Sequence, residues 1–148
     1  MISTRERVPS QTDEEINRRI ARRMARNVRY YAERPAEIAS RLEELDEEWD
    51  IERAIETNAS AIAFTGIALG VAGGNRRWLA LSALVTGFLF QHAIQGWCPP
   101  IPILRRLGYR TSYEIEQERQ ALKALRGDFD RVASAQDRAK AALDAARA

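Results

Sequence analysis

The charged residues of this chain are distributed very unevenly, and this constrains its fold more than any other feature. The chain has 23 Lys and Arg and 21 Asp and Glu residues, yet between Thr57 and Leu104 only Arg76 and Arg77 are charged. Two uncharged stretches joined by a short basic turn, with highly charged flanks, are typical of a helical hairpin that spans a membrane. The flanks make the mean hydropathy of the whole chain negative and so hide the hairpin.

The lengths of the two uncharged stretches suit a bilayer. At about 1.5 Å per residue, a helix over residues 57–75 would span roughly 28 Å, close to the hydrocarbon thickness of a membrane. The second stretch, 78–104, is long enough to cross and then leave, and neither stretch alternates as a strand would. The first stretch is rich in Ala and Gly, so a soluble helical bundle with a charge-free core stays open as an alternative.

The flanks predict helices as well, so the expected fold class is all-α: a two-helix transmembrane hairpin flanked by charged amphipathic helices at both ends. Apolar residues recur at helical spacing on both sides of the hairpin. The predicted segments are a flexible lead-in (1–11), a charged amphipathic helical pair (12–56), the transmembrane hairpin (57–104), and a C-terminal helix with an alanine-rich tail (105–148).

The two N-terminal helices have opposite charge, which leaves two interpretations open. Arginines fill the polar side of the first helix, over 16–34, whereas acidic residues predominate in the second. A basic amphipathic helix can lie on a bilayer surface, so 16–34 is a candidate for contact with anionic lipid. Alternatively, the basic and acidic helices pack against each other and bury both apolar faces.

Small residues in the two uncharged stretches predict close packing between helices. Little hydrophobic force drives helices together in lipid, so close approach at small side chains supplies the association. This packing could join the two helices of one hairpin, or several copies of the chain. The candidate helix-packing residues are Gly66, Gly70, Gly74, Ser82, Thr86 and Gly87.

Polar and aromatic residues cluster where the second helix is expected to leave the membrane. Gln91, His92 and Gln95 are candidate polar partners, and interfacial hydrogen bonding is favoured over a proton relay or ligand site at this depth. Aromatic and basic residues mark the boundaries of membrane helices. The candidate interface anchors are Trp78, Trp97, Arg105 and Arg106.

Cys98 is the only cysteine, which excludes a disulfide within the chain. The simplest interpretation is a small buried residue at the helix exit, and the alternative is a thiol that carries a persulfide. No catalytic constellation is visible, so we expect no enzyme activity, cofactor or metal site. The net charge of +2 is too small to indicate a nucleic-acid partner.

The run from the glycine-containing first helix through Arg77-Trp78-Leu79 to Gly96-Trp97-Cys98-Pro99 and then Leu107-Gly108 resembles a known family. It is similar to the YgaP-like transmembrane domain, a small two-helix bacterial inner-membrane module of unknown function, over about residues 52–111. Some relatives are fused to a rhodanese, so the resemblance implies a link to sulfane sulfur, although no second cysteine is present here. The resemblance therefore implies the location and topology of the protein more than any sulfur chemistry.

These observations predict a non-enzymatic protein of the bacterial inner membrane that acts as a membrane anchor or assembly subunit, with both termini in the cytoplasm. Its expected partners are the bilayer and either another protein or further copies of itself. An accessory role in sulfur handling, with Cys98 as persulfide acceptor, is one alternative, and a soluble helical interaction protein is another.

Overall fold

The computed structural model describes Ser3 and residues 5–147, and every regular element in these ranges is a helix, which confirms the all-α class. The elements are α1 (Arg7–Ser10), α2 (Glu14–Ala32), a 3-10 turn (Pro35–Glu37), α3 (Ile38–Glu47), α4 (Ile51–Ala72), α5 (Arg76–Gln95), α6 (Ile101–Leu107), α7 (Ser112–Arg126) and α8 (Arg138–Arg147).

The chain forms two compact units that interleave along the sequence. The helix-pair unit comprises residues up to Ile20 together with Trp49–Tyr113, and it contains α4, α5 and α6. The charged unit comprises Ala21–Glu48 together with the chain from Glu114 onward. It therefore draws on both charged flanks of the sequence.

Side-chain caps set where α4 and α5 begin, and both starts differ from the prediction. The Asp50 carboxylate accepts a hydrogen bond from the backbone N–H of Arg53, so α4 begins at Ile51, before the uncharged stretch. The Asn75 side chain likewise accepts from Arg77 N–H at 3.1 Å. Arg76 and Arg77 consequently form the first turn of α5, and the connection itself is residues 73–75.

A glycine, not the prolines, ends α5. Gly96 has φ of 73° and its N–H donates to the carbonyl oxygen of His92 at 2.8 Å, which closes the helix in the left-handed conformation that glycine adopts at low cost. Pro99 follows three residues later. Pro100 is the N-cap of α6 and Pro102 lies in its first turn, where a missing N–H costs nothing.

The helix-pair unit has a small core that includes the N-terminal segment. Val8 is buried with Ile51, Ile55, Cys98 and Ile101. The flexible lead-in predicted for 1–11 therefore does not describe residues 7–10, which form α1. The prediction missed this because a four-residue helix leaves no periodic pattern in the sequence.

The charged unit has its own apolar core with a polar centre. Tyr31 of α2 packs against a cluster from α3 and α7, formed by Ile38, Leu42, Leu45, Ile115 and Leu122. Beside it, the fully buried Glu118 carboxylate accepts hydrogen bonds from Arg41 Nε at 3.0 Å and from Asn27 Nδ2 at 3.1 Å. The acidic helix α3 thus packs with α7 as well as α2, so the unit is more than an N-terminal helical pair.

Candidate functional site

Close contact between α4 and α5 is built on two of the predicted glycines. A Cβ at Gly66 would overlap the Ser82 hydroxyl and would lie 2.9 Å from the carbonyl oxygen of Trp78. A Cβ at Gly70 would lie 2.7 Å from the Leu79 side chain. The Ser82 hydroxyl donates to the carbonyl oxygen of Ala63 at 2.9 Å and so links the two helices. The contacts run antiparallel, because later residues of α4 meet earlier residues of α5.

The other predicted packing residues lie elsewhere. Gly74 lies beyond the end of α4 and has φ of 64°, so it shapes the connection and does not pack between the helices. The Thr86 hydroxyl donates to the Ser82 carbonyl oxygen within α5. A Cβ at Gly87 would meet nothing within 4 Å, which leaves Gly87 on an open surface.

Large apolar side chains cover the outer surfaces of α4 and α5. Phe64 and Val71 are each 74% exposed and Phe90 is 68% exposed. The same surfaces expose Ile62, Ile67, Leu69, Trp78, Leu79, Leu84 and Ile94. Contiguous apolar surface of this kind is uncommon on soluble proteins and is typical of surfaces that contact lipid or another protein.

Both helices have the dimensions of membrane spans. α4 has 22 residues and α5 has 20, which correspond to about 33 and 30 Å at the usual helical rise. Each is long and apolar enough to cross a membrane. Most residues of each helix are exposed, whereas the core helix of a soluble protein is mostly buried.

An apolar groove of about 510 Å³ lies beside the pair at the end away from the connection. Among the lining residues that the structure describes, only Asn58 is strongly polar, and its amide donates to the carbonyl oxygen of Ala54 within α4. The lining residues are Ala54, Ile55, Asn58, Ala59, Ile62, Leu84, Val85, Phe88, Leu89, Cys98, Pro99, Pro100 and Leu104.

The Gly96-Trp97-Cys98-Pro99 motif forms the exit from α5. Gly96 packs so closely on α1 that a Cβ would lie 2.7 Å from the Arg7 carbonyl carbon, and Trp97 is half-buried. Cys98 is 3% exposed, and burial raises the pKa of its thiol. The thiolate needed for persulfide chemistry is therefore disfavoured, which suits the simpler structural interpretation of Cys98.

The three polar residues at the end of α5 do not form a shared site. His92 is buried, and its Nδ1 atom has no hydrogen-bond partner among the residues that the structure describes. The Gln91 amide donates to Gln95 Oε1 at 3.4 Å along the same helix. The part of the chain that the structure describes contains no group of three His, Cys, Asp or Glu residues placed to hold a metal ion.

The predicted interface anchors have different environments. Trp78 is 41% exposed at the start of α5. Arg106 is also exposed, whereas Arg105 is fully buried and its guanidinium donates to Asn17 Oδ1 at 2.8 Å and to the Tyr109 carbonyl oxygen at 3.2 Å. Arg105 thus ties the start of α2 to the loop after α6, a structural role that a surface anchor does not have.

Sequence reasoning missed the residues that hold the charged unit together. Arg41 and Arg119 of α3 and α7 bond across the helices, Arg41 to Glu118 and Arg119 to Asp46. One signal was available in the sequence, because Glu118 interrupts the apolar face of α7. A carboxylate at such a position is tolerated only when a partner compensates its burial.

No model of a known family, no curated protein and no solved structure matches this chain. The resemblance to the YgaP-like transmembrane domain therefore stays a prediction. The features that bear on function are the exposed apolar surface of α4 and α5, the groove beside them and the separate core of the charged unit.

Proposed function

We propose that this chain is a non-enzymatic membrane protein in which α4 and α5 cross the bilayer as a hairpin, while the charged unit recruits or organises a protein partner. The observation that carries the proposal is the exposed apolar surface of the two helices, with Phe64, Val71 and Phe90 most exposed. Transfer of such side chains from water to lipid lowers the free energy of the protein.

The alternative, a soluble helical bundle with a charge-free core, would require these side chains to be inside the molecule. They lie outside it, although both helices have a length that suits a bilayer. Backbone groups in lipid must bond within their own segment, and a pair of continuous helices meets that requirement. The helix pair therefore fits a bilayer better than water.

The proposed location is the bacterial inner membrane with both termini in the cytoplasm. Two crossings bring the flanks of the hairpin to one side. Arg76 and Arg77 oppose the positive-inside rule for a connection on the far side. The basic flanks, which include Arg106, favour the cytoplasm for the termini.

The charged unit supplies the surface for a partner in this proposal. The unit has an apolar core of its own. The charged side chains on its surface therefore take no part in filling the interior. Arg23, Arg26 and Arg29 are exposed along α2 and present a basic face. This face suits an acidic protein surface, and anionic lipid headgroups would offer the same charge.

Membrane insertion is tested by alkaline carbonate extraction of membranes that contain the full-length protein. We expect retention in the pellet until detergent is added. Phe64→Arg should reduce retention, because an arginine near the centre of a spanning helix costs roughly 2.5–3.5 kcal/mol on insertion scales.

The matched control is Leu125→Arg, the same kind of change at an exposed position of the charged unit. This variant should be retained like the original protein. Release of the unaltered protein by carbonate, or equal behaviour of the two variants, would contradict the hairpin.

Recruitment is tested separately by cross-linking in intact membranes, followed by affinity capture. We compare the original chain with a variant in which Arg23, Arg26 and Arg29 are replaced by Ser. A captured protein that is lost from the variant supports recruitment through the basic face. Identical capture by both proteins would argue against it.

A further inference from the structure

We propose that the groove beside α4 and α5 binds one acyl chain of a bilayer phospholipid from the leaflet nearest the chain termini. This proposal rests on the membrane hairpin proposed above and adds a specific lipid site to it. The groove begins near Ala54 in the first turns of α4, where the last charged residues of that helix lie. This is the depth at which an acyl chain leaves its headgroup.

The chemistry of the lining selects a hydrocarbon. None of the thirteen lining residues in the described part of the chain is charged, and the Asn58 amide already donates to its own helix. A polar ligand would lose its hydration without gaining partners, which costs several kcal/mol for each unbonded group. An apolar chain loses nothing of this kind and gains contacts with the wall.

The length of the groove does not match a helix of a second copy. Its wall on α4 runs from Ala54 to Ile62, a length of about 12 Å at the helical rise. A helix that crosses the bilayer is about 30 Å long, so less than half of it could lie against this wall. An extended peptide would fit, but its backbone groups would remain unbonded against an apolar wall.

The groove is also continuous with the lipid-facing surface of the helix pair. Ile62 and Leu84 line the groove, and they are 46% and 57% exposed. A chain in the groove can therefore enter sideways from the bilayer without any opening motion. If the groove stayed empty, its lining would lose dispersion contacts on one side, so an acyl chain is the occupant that packing favours.

The test uses full-length protein in phosphatidylcholine and phosphatidylglycerol vesicles that contain phospholipid with a diazirine on one acyl chain. After photolysis, mass spectrometry locates the adducts. We expect adducts on the groove wall near Ala59 and Val85, and also on the outer surface near Phe64 and Phe90.

Substitutions that fill the groove give the decisive comparison. Ala59→Phe should reduce labelling of the groove wall severalfold and leave the labelling near Phe64 and Phe90 unchanged. Val85→Phe should do the same from the opposite wall. The matched control is Ala83→Phe, which makes the same change at an exposed position outside the groove and should leave both signals intact.

Each remaining outcome is informative. Labelling of the outer surface without labelling of the groove would overturn the acyl-chain site and leave the membrane hairpin standing. Absence of both signals, together with release by carbonate, would overturn the hairpin and the site with it. If a photoreactive amino acid at Leu84 formed cross-links to a second copy in place of lipid adducts, the groove would be a protein interface and the proposal would be wrong.

Discussion

The contact of Gly66 with α5 makes a quantitative prediction about the helix pair. In Gly66→Ala the new methyl group would overlap the Ser82 hydroxyl and would lie 2.9 Å from the backbone carbonyl oxygen of Trp78. The hydroxyl can rotate away, but only by giving up its bond to Ala63. The backbone carbonyl can move only if the helices separate.

The expected magnitude follows from two opposing effects. Overpacking a close contact typically costs about 1–3 kcal/mol. Loss of the bond from Ser82 adds roughly 0.6 kcal/mol in a membrane. Replacing a helical Gly by Ala returns about 1 kcal/mol of intrinsic helix propensity. We therefore expect Gly66→Ala to destabilise the pair by about 0.6–2.6 kcal/mol.

Gly87→Ala is the matched control, because the same methyl group there would meet nothing within 4 Å. This variant keeps the propensity gain of up to about 1 kcal/mol without the clash. The two substitutions should thus differ by about 1.6–3.6 kcal/mol, because only Gly66→Ala carries the clash and the lost bond. The double variant Gly66→Ala/Ser82→Ala should recover only part of the loss, because the Trp78 carbonyl remains in place.

The assay is reversible unfolding in mixed micelles with increasing dodecyl sulfate, followed by the fluorescence of Trp78. Trp49 and Trp97 are replaced by Phe in every protein compared, so that the signal comes from the helix contact. Equal unfolding free energies for Gly66→Ala and Gly87→Ala would refute the role assigned to Gly66 in close packing.

Three further predictions concern the charged unit and the exit of α5. Glu118→Ala should cost about 1–3 kcal/mol in thermal unfolding, because it removes the fully buried acceptor of Arg41 and Asn27 while Arg41 keeps its ion pair with Glu44 at 2.8 Å, and replacing both Glu118 and Arg41 by apolar residues should cost less. The Arg126 guanidinium donates to both carboxylate oxygens of Asp128, at 2.6 and 2.8 Å, and these bonds lower the pKa of the Asp128 carboxyl. Asp128→Asn should therefore lower stability by about 0.5–1 kcal/mol above about pH 4, where the carboxylate is charged. That difference should disappear as the pH falls through the depressed pKa, and a difference that persists in acid would contradict it. Cys98→Ser should destabilise the helix-pair unit by roughly 1–3 kcal/mol, because a hydroxyl replaces a thiol among apolar side chains, whereas Cys98→Ala should cost less in the same chemical unfolding experiment.

The sequence could predict the class of the fold and the position of its two apolar helices, because both depend on local patterns. A long run without charge and the helical spacing of apolar residues are properties of neighbouring positions. Helix ends were less predictable, since Asp50, Asn75 and Gly96 set them through single capping contacts.

The candidate site depended more on tertiary structure. Gly66 and Gly87 look equivalent as small residues in apolar helices, yet one meets Ser82 and the other meets open space. The groove also could not be predicted, because its walls come from α4, α5 and the segment after Gly96.

The sequence alone determined that this chain is helical and that it has two segments suited to a membrane, because charge spacing and apolar length act along the chain. Only the tertiary structure decided which side chains those segments bury and which they expose. It also decided that Glu118 and Arg105 would be buried with partners distant in sequence. Which side chains are buried depends on which helix surfaces pack together, and a local sequence pattern does not specify that packing.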